Sequence, residues 1–384
     1  MAQAYIVDAV RTAGGRRNGR LSGVHPADLA GDVLSALVAR TGIDPTSIED
    51  VVLGCVTQVG EQSFAFARNA VLASTLPASV PAVTVDRQCG SSQQAVQFAA
   101  QAVLSGTQDV VIAAGAESMS RVPMFSNQTG DAGPISERIR QRFGVESFSQ
   151  FEGAEMIARK YGYSREALDR FSLHSHQLAA AAIAAGAFEQ EIVPVSIETP
   201  DGPGVHLVDE GVRSDTSLEK LGSLKTLVEG GVITAGNSSQ ICDGASALLV
   251  VSERALKDHG LTPLARIHAM VVTAGDPVIM LEEPIAATQR LLERAGMSID
   301  DIDLYEVNEA FAPVPLAWLD SLKADPERLN VHGGSIALGH PLGSSGTKLM
   351  ATLVHALRGR GKRYGLQTMC EAGGIANAMI IEAL

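Results

Sequence analysis

The chain has 384 residues, 46% apolar and 19% charged, a globular composition that predicts two or three domains around a sizeable core and excludes disorder. A net charge of −13 excludes a nucleic-acid partner, which would need a basic face, and leaves any anionic ligand to a local cluster of donors. No apolar run reaches the ~18–20 residues of a membrane span, and Asp8 and Arg11 interrupt the opening stretch Ala4–Val10, so neither a span nor a secretory signal is expected.

Strand-like and helix-like segments alternate along most of the chain, which predicts an α/β fold. Ala4–Val10 reads as a strand, and Asp28–Arg40 as a helix with Leu29, Val33, Leu34, Leu37 and Val38 on one face. Val51–Val56 follows as a strand, Gln62–Leu76 as a helix and Ala82–Val85 as a short strand. Ser91–Leu104 reads as a helix closed by Gly106, and Asp109–Ala114 as a strand buried on both faces. From Arg121 to about Gly236 the pattern loosens into the mixed segment Phe125–Gln150, amphipathic helices Gly153–Tyr161 and Arg165–Ala185, and a polar loop Thr199–Asp215. That stretch reads as an insertion, after which the apolar strand Ala245–Val251 resumes the core.

The last third repeats the first. The strand opening at Ala265 matches the one opening at Ala4 at an offset of 261, and the segment from Gly296 matches the one from Gly42 at an offset of 254. Near-constant offsets in the same order predict two copies of one α/β unit.

Four segments could carry chemistry. Cys89 sits between a strand and a helix, in a stretch with no charged residue from Gln88 to Gln108. The positive end of the helix dipole would favour its thiolate, although an ordinary buried cysteine fits the segment equally well. His340 lies in a glycine-rich turn immediately before a helix running to about Leu357, at an offset of 251 from Cys89. Two-fold related halves would bring these two helix starts face to face, and a histidine so placed is a candidate base. Asn308 ends the strand Ile302–Val307, where it could orient a water, donate to an oxyanion or merely cap the next helix. Cys370 ends another strand, a position that by itself suits a plain buried thiol. Cys55 and Cys242 read as core thiols, while His174 and His176 sit in a polar helix and read as solvated. Cysteine and histidine spacing predicts no metal site and no disulfide scaffold, and glycine spacing predicts no nucleotide-cradling loop.

Taken together, these segments resemble the thiolase family over essentially the whole chain. Cys89-Gly-Ser-Ser matches its nucleophile motif, Asn308-Glu-Ala-Phe-Ala its asparagine motif, Gly339-His-Pro its histidine motif, and Cys370 with Gly373-Gly374 its second-cysteine motif. Thr234-Ala-Gly-Asn-Ser-Ser239 is similar to the family segment whose last serine meets the pantetheine of coenzyme A, and Arg213 to an arginine near the nucleotide end. Ala310 and Phe311, inside the asparagine motif, are implied to line the substrate path. One departure stands out: Ala372 occupies the place of a glycine whose amide helps form an oxyanion hole, a role an alanine amide keeps unless its φ is positive.

The resemblance implies a five-layered αβαβα core, with one half from residues 1–120 and 241–263, the other from 264–384, and an inserted loop domain, 121–240, over the active site. It implies an acyltransferase that cleaves a 3-ketoacyl-CoA with CoA through an acyl-cysteine, or condenses two acetyl-CoA in reverse. Cys89 would be nucleophile, His340 its base, Cys370 the acid and base for the enolate and for CoA, and Asn308 the holder of a water; amides of Cys89 and Ala372 would form the oxyanion hole. CoA enters as substrate, so no cofactor or metal is expected, and the protein should be a cytoplasmic homodimer or homotetramer. The run Glu371-Ala-Gly-Gly is similar to actinobacterial lipid- or sterol-degrading members. A decarboxylating ketoacyl-synthase-type enzyme would have no need of Cys370, and a non-catalytic CoA- or lipid-binding module should have lost a reactive residue; none is missing.

Overall fold

The structure is a computed structural model that describes residues 2–128 and 133–384. The stretch 129–132 of the expected Phe125–Gln150 segment lies outside the described residues. Strand β1 (Ala4–Thr12) opens the fold, followed by helix α1 (Pro26–Thr41), β2 (Asp50–Gly54), α2 (Phe66–Leu72), β3 (Ala82–Val85), α3 (Ser91–Ser105) and β4 (Val110–Ser118). Helices α4 (Gln150–Tyr161) and α5 (Arg165–Ala184) and strands β5 (Val195–Thr199) and β6 (Gly202–His206) come next, before β7 (Cys242–Ser252). The last part holds β8 (Ala265–Ala274), α6 (Pro284–Ala295), β9 (Leu304–Val307), α7 (Pro313–Leu322), α8 (Ser345–Gly359), β10 (Tyr364–Glu371) and β11 (Ile375–Ala383).

The repeat expected from the sequence is visible in the strand order, β9-β10-β11-β8-β1-β7-β4-β2-β3. Outward from the central pair, β1-β7-β4-β2 matches β8-β11-β10-β9, with parallel and antiparallel neighbours in the same places. Strands β1 and β8 meet antiparallel, Tyr5 opposite Arg266, which makes the join a local dyad.

Apolar periodicity then dictates five layers. Leu34, Leu37 and Phe66 of α1 and α2 cluster with Val51, Leu53 and Ile112 on the outer face of the first half. Leu291 and Trp318 of α6 and α7 do the same against Tyr305, Leu366 and Ile380 of the second. Between the halves lie α3 and α8, whose Ala95, Val96, Ala99, Met350 and Leu353 join Ile6, Val111, Leu248 and Met379 in one shared core. Gln93 and Gln97 of α3 are buried here because they have backbone partners, donating to the carbonyls of Gln367 and Val271 in the opposite half. The two helix starts touch, with the Thr347 amide donating to Ser92 Oγ at 3.0 Å.

Helices α4 and α5 contribute Ile157 and Leu168 to a cluster with Phe311, Val314 and Cys370, which seats this segment against the second half. Buried Arg11 of β1 pairs with Glu191 and Asp209 from the far side of the same segment.

Three local expectations need correction. The second helix spans only Phe66–Leu72, because Phe64 and Ala65 adopt positive φ and break the turn expected from Gln62. The expected loop Thr199–Asp215 begins as a hairpin, with Thr199 paired to Gly202 around Pro200-Asp201. His176 is not solvated: it is 4% exposed, and its Nδ1 accepts the backbone N–H of Arg213, which folds across α5.

Candidate active site

Cys89 lies in the loop between β3 and α3, where Gly90 is the N-cap and no side chain caps the helix. It is partly exposed and lines two adjoining cavities, of about 520 Å³ and about 330 Å³. The larger also reaches His340, Ser239, Ala310, Phe311 and Arg213; the smaller reaches Ala372.

His340 follows the short helix Ser335–Leu338 and is separated from α8 by a 3-10 turn, Leu342–Ser344, rather than lying immediately before it. The His340 amide donates to Gln240 O, and the buried ammonium of Lys348 holds the carbonyls of Leu338 and Gly339 from beneath. Ser345 Oγ lies 2.9 Å from Pro341 O, which can only accept, so the hydroxyl proton goes there and Oγ accepts from His340 Nδ1–H. That fixes the tautomer and leaves Nε2 as the free acceptor. Burial, then the nearby Lys348 charge, pushes the imidazole down to about 3, so it is neutral and able to take a proton.

Asn308, at the end of β9, points its amide nitrogen at His340 Nε2, 3.5 Å away. Its Oδ1 accepts from Ser335 Oγ, so the amide is held with its N–H group toward the cavity. Cys370, at the end of β10, is 1% exposed; burial, the neighbouring Cys89 and Glu371 push its thiol well above the usual range.

The expected dipole-favoured thiolate at Cys89 needs correction. Burial, followed by Glu371 once it is ionised, pushes its thiol up to about 12, with Glu117 and Asp86 adding to the rise and its own backbone amide opposing it. Loss of hydration outweighs the helix start, so the resting group is a thiol that needs a base at the moment of attack.

Ala372 takes no strain in the glycine position. It is absent from the positive-φ residues, and the left-handed turn is taken by Gly373 (φ 89°) and Gly374 (φ 75°). Ser239 is brought to the cavity wall by its amide, which donates to Ala310 O, while Ser238 bridges to Phe311. Arg213 is exposed and lines both the larger cavity and a neighbouring one of about 390 Å³ with His176 and Lys220. Lys220 is tied to Asp215 at 2.7 Å.

Sequence reasoning missed several members of this site. Arg16 and Arg17 stand beside Arg213 in the wall of the larger cavity. Ser335, Ser345 and Lys348 hold the reactive groups, and all but Lys348 lay inside segments already singled out. Ser345 had a local signal, a hydroxyl five residues from His340 in a turn, whereas Ser335 reaches Asn308 from 27 residues away. Among the described residues, no group of three or more His, Cys, Asp or Glu converges as a metal site would require, and no helix is long and apolar enough to cross a membrane.

The chain is similar to known proteins along its whole length. The family model described as "Thiolase, N-terminal domain" matches residues 4–254, and "Thiolase, C-terminal domain" matches residues 261–383. A steroid 3-ketoacyl-CoA thiolase of Mycobacterium tuberculosis is 53% identical over 391 aligned residues, covering 100% of this chain and 95% of that protein. The crystal structure of the Bacillus anthracis acetyl-CoA acetyltransferase superposes with a TM-score of 0.92 at 38% identity, covering 100% and 99% of the two chains. That of human mitochondrial 3-ketoacyl-CoA thiolase gives 0.91 at 37% identity, again covering 100% and 99%.

Proposed function

The chain belongs to the thiolase family, and we propose that Cys89, His340, Asn308 and Cys370 carry out that family's thiolytic cleavage of a 3-ketoacyl-CoA by CoA. The observation that carries this reading is the single cavity wall shared by Cys89 and His340, with Asn308 directed at the same imidazole. Cys89 Sγ attacks the 3-keto carbon while its proton passes to His340 Nε2, the one unprotonated ring nitrogen. Collapse breaks the bond between C2 and C3 and expels the enolate of acetyl-CoA. Cys370, held as a thiol by its burial, protonates that enolate at C2. The resulting thiolate takes the proton of incoming CoA, whose sulfur then releases the acyl group from Cys89. The Asn308 N–H group and the newly protonated His340 give two donors, directly or through a water, where the thioester oxygen becomes negative. Amides of Cys89 and Ala372 serve the tetrahedral intermediates.

The larger cavity suits the CoA arm, with Ser239, Ala310 and Phe311 along it and Arg213 at its outer end. The smaller one, lined by Val56, Met124, Phe148 and Met280 among others, suits the acyl group. Likeness to a protein named for steroid substrates supports degradation of a bulky acyl chain. Residues 1–120 with 241–263, 264–384 and 121–240 are the two halves and the inserted loop domain of this proposal, working as a cytoplasmic homodimer or homotetramer. A rate series over 3-ketoacyl-CoAs of increasing bulk tests the substrate assignment: kcat/KM should rise from acetoacetyl-CoA to larger acyl groups, and a maximum at acetoacetyl-CoA would contradict it.

A further inference from the structure

Glu371 directly follows Cys370 and is fully buried. Its counterpart by strand position and by an offset of 254 is Glu117, at the same place on β4. The two carboxyls are treated very differently. Glu117 receives the amides of Val56, Thr57 and Gly343 and the side chain of Gln62, four donors for two oxygens. Glu371 receives one, the Asn377 amide on Oε1 at 3.1 Å, and Oε2 has no partner. Asn377 Oδ1 is likewise buried and without a partner. Both residues press on the turn that carries the nucleophile: a Cβ placed on Gly90 would stand 2.1 Å from Glu371 Oε1 and 3.0 Å from Asn377 Oδ1. The Asn377 side-chain amide meanwhile donates to Gly90 O at 3.1 Å, so its Oδ1 cannot be exchanged for a donor.

Buried acceptors left without a donor, as Glu371 Oε2 and Asn377 Oδ1 are, are costly unless one of the two groups carries a proton. Only the carboxyl can. We propose that Glu371 is a positioning residue held as a neutral acid, which donates from Oε2 toward Asn377 Oδ1, seats the Cys89–Gly90 turn against β10 and β11, and keeps negative charge away from the two cysteines while sulfur and enolate charges develop. This role rests on Cys89 being the nucleophile.

The groups facing Glu371 agree with it. Arg87, from the loop after β3, is the one cation that acts on it; among the described residues it forms no salt bridge with Glu371, and its Nε is itself partnerless. Cys89 faces it from the loop before α3 and Cys370 from its own strand, while Asp86 on that loop and Glu117 on β4 act on Cys89. Asn377 on β11 is uncharged. Burial, opposed by Arg87 and the Asn377 amide, pushes the carboxyl up to about 8. Ionisation above that pH would place a fixed negative charge beside Cys89, which opposes both thiolate formation and the oxyanion.

The test compares wild type with Glu371→Gln, whose side-chain amide is neutral at every pH and can donate to Asn377 Oδ1 as the acid does. In wild type, kcat/KM for thiolysis at pH 9 should be about a tenth of its value at pH 7, from a group titrating near 8. In Glu371→Gln the same ratio should fall less than twofold. A pH dependence identical in the two proteins overturns the proposal, as does a Glu371→Gln enzyme already more than tenfold impaired at pH 7, since that would mean the carboxylate charge is itself required. Should the variant not fold, the wild type still decides: alkylation of Cys89 by iodoacetamide should rise with pH in two steps, flattening near 8, and a single-step rise overturns it. Acetyl-CoA labelling of Cys89 run alongside separates the two ideas. Label on Cys89 with unaltered profiles removes only the Glu371 role, whereas label elsewhere removes the nucleophile assignment beneath it.

Discussion

His340 Nε2 and the Asn308 amide nitrogen stand 3.5 Å apart, and a serine holds each group from behind. Ser345 fixes the imidazole tautomer and Ser335 the amide orientation. Removing Ser345 frees the ring to place its proton on either nitrogen, so half the reactive geometry is lost without any loss of substrate contact. Ser345→Ala should lower kcat by about 10- to 100-fold with KM little changed, measured by loss of acetoacetyl-CoA absorbance in the presence of CoA. A rise in KM at constant kcat would show that Ser345 acts on binding instead.

Acid stability follows from the buried imidazoles. Burial, then Arg213, lowers His176 to about 4; burial, then Arg360, lowers His332 to about 4; and His340 lies at about 3. Above the ordinary histidine range near 6.5, folded and unfolded chains are both neutral at these sites. Between 6.5 and 4 the unfolded chain binds protons that the folded chain refuses, so stability present at pH 7 is lost as pH falls. A neutral Glu371 acts in the opposite sense, because its folded carboxyl keeps a proton that the unfolded one has lost, so what these imidazoles add is a decline in melting temperature confined to pH 6.5 to 4.5 and read by difference against a histidine variant. The decline should be shallower in His176→Gln than in wild type, and parallel curves would count against the buried His176.

Much of the architecture is legible in the sequence, for identifiable reasons. The repeat survives in the strands opening at Ala4 and Ala265, which pair antiparallel at the central join and bury Ala4, Ile6, Ala265 and Ile267 there. Cys89, His340, Asn308 and Cys370 each end a strand or precede a helix, positions that a coarse alternation of elements already locates. What escaped was non-local. Nothing near His176 announces that Arg213 will fold over it, and nothing near Glu371 says that Gly90, 281 residues earlier, will lie against its carboxyl. The reactivity of Cys89 was misjudged for the same reason: a helix start can be read locally, but burial beside Glu371 cannot.

Recognition of CoA should be a local electrostatic matter on a protein of net charge −13. Arg213 is exposed and shares the larger cavity with Arg16 and Arg17. Arg213→Ala should raise KM for CoA several-fold with less effect on kcat, the pattern of lost uniform binding. Because exposed phosphate contacts are screened, the difference should shrink between about 20 mM and about 500 mM salt, which shortens the Debye length about fivefold. An unchanged KM at low salt would place the nucleotide elsewhere.

A partly exposed thiol, Cys89, carries the acyl group and a buried one, Cys370, shuttles protons, and mass analysis after incubation with acetyl-CoA alone tells the two roles apart. An acetyl group should appear on the Cys89 peptide and none on the Cys370 peptide. Almost no label should appear in Cys89→Ser, whose hydroxyl is far less acidic, and labelling should be slower in His340→Ala. Cys370→Ala should still accept acetyl while failing to complete turnover. Acetyl on Cys370, or normal turnover by Cys370→Ala, would overturn this assignment of the two thiols.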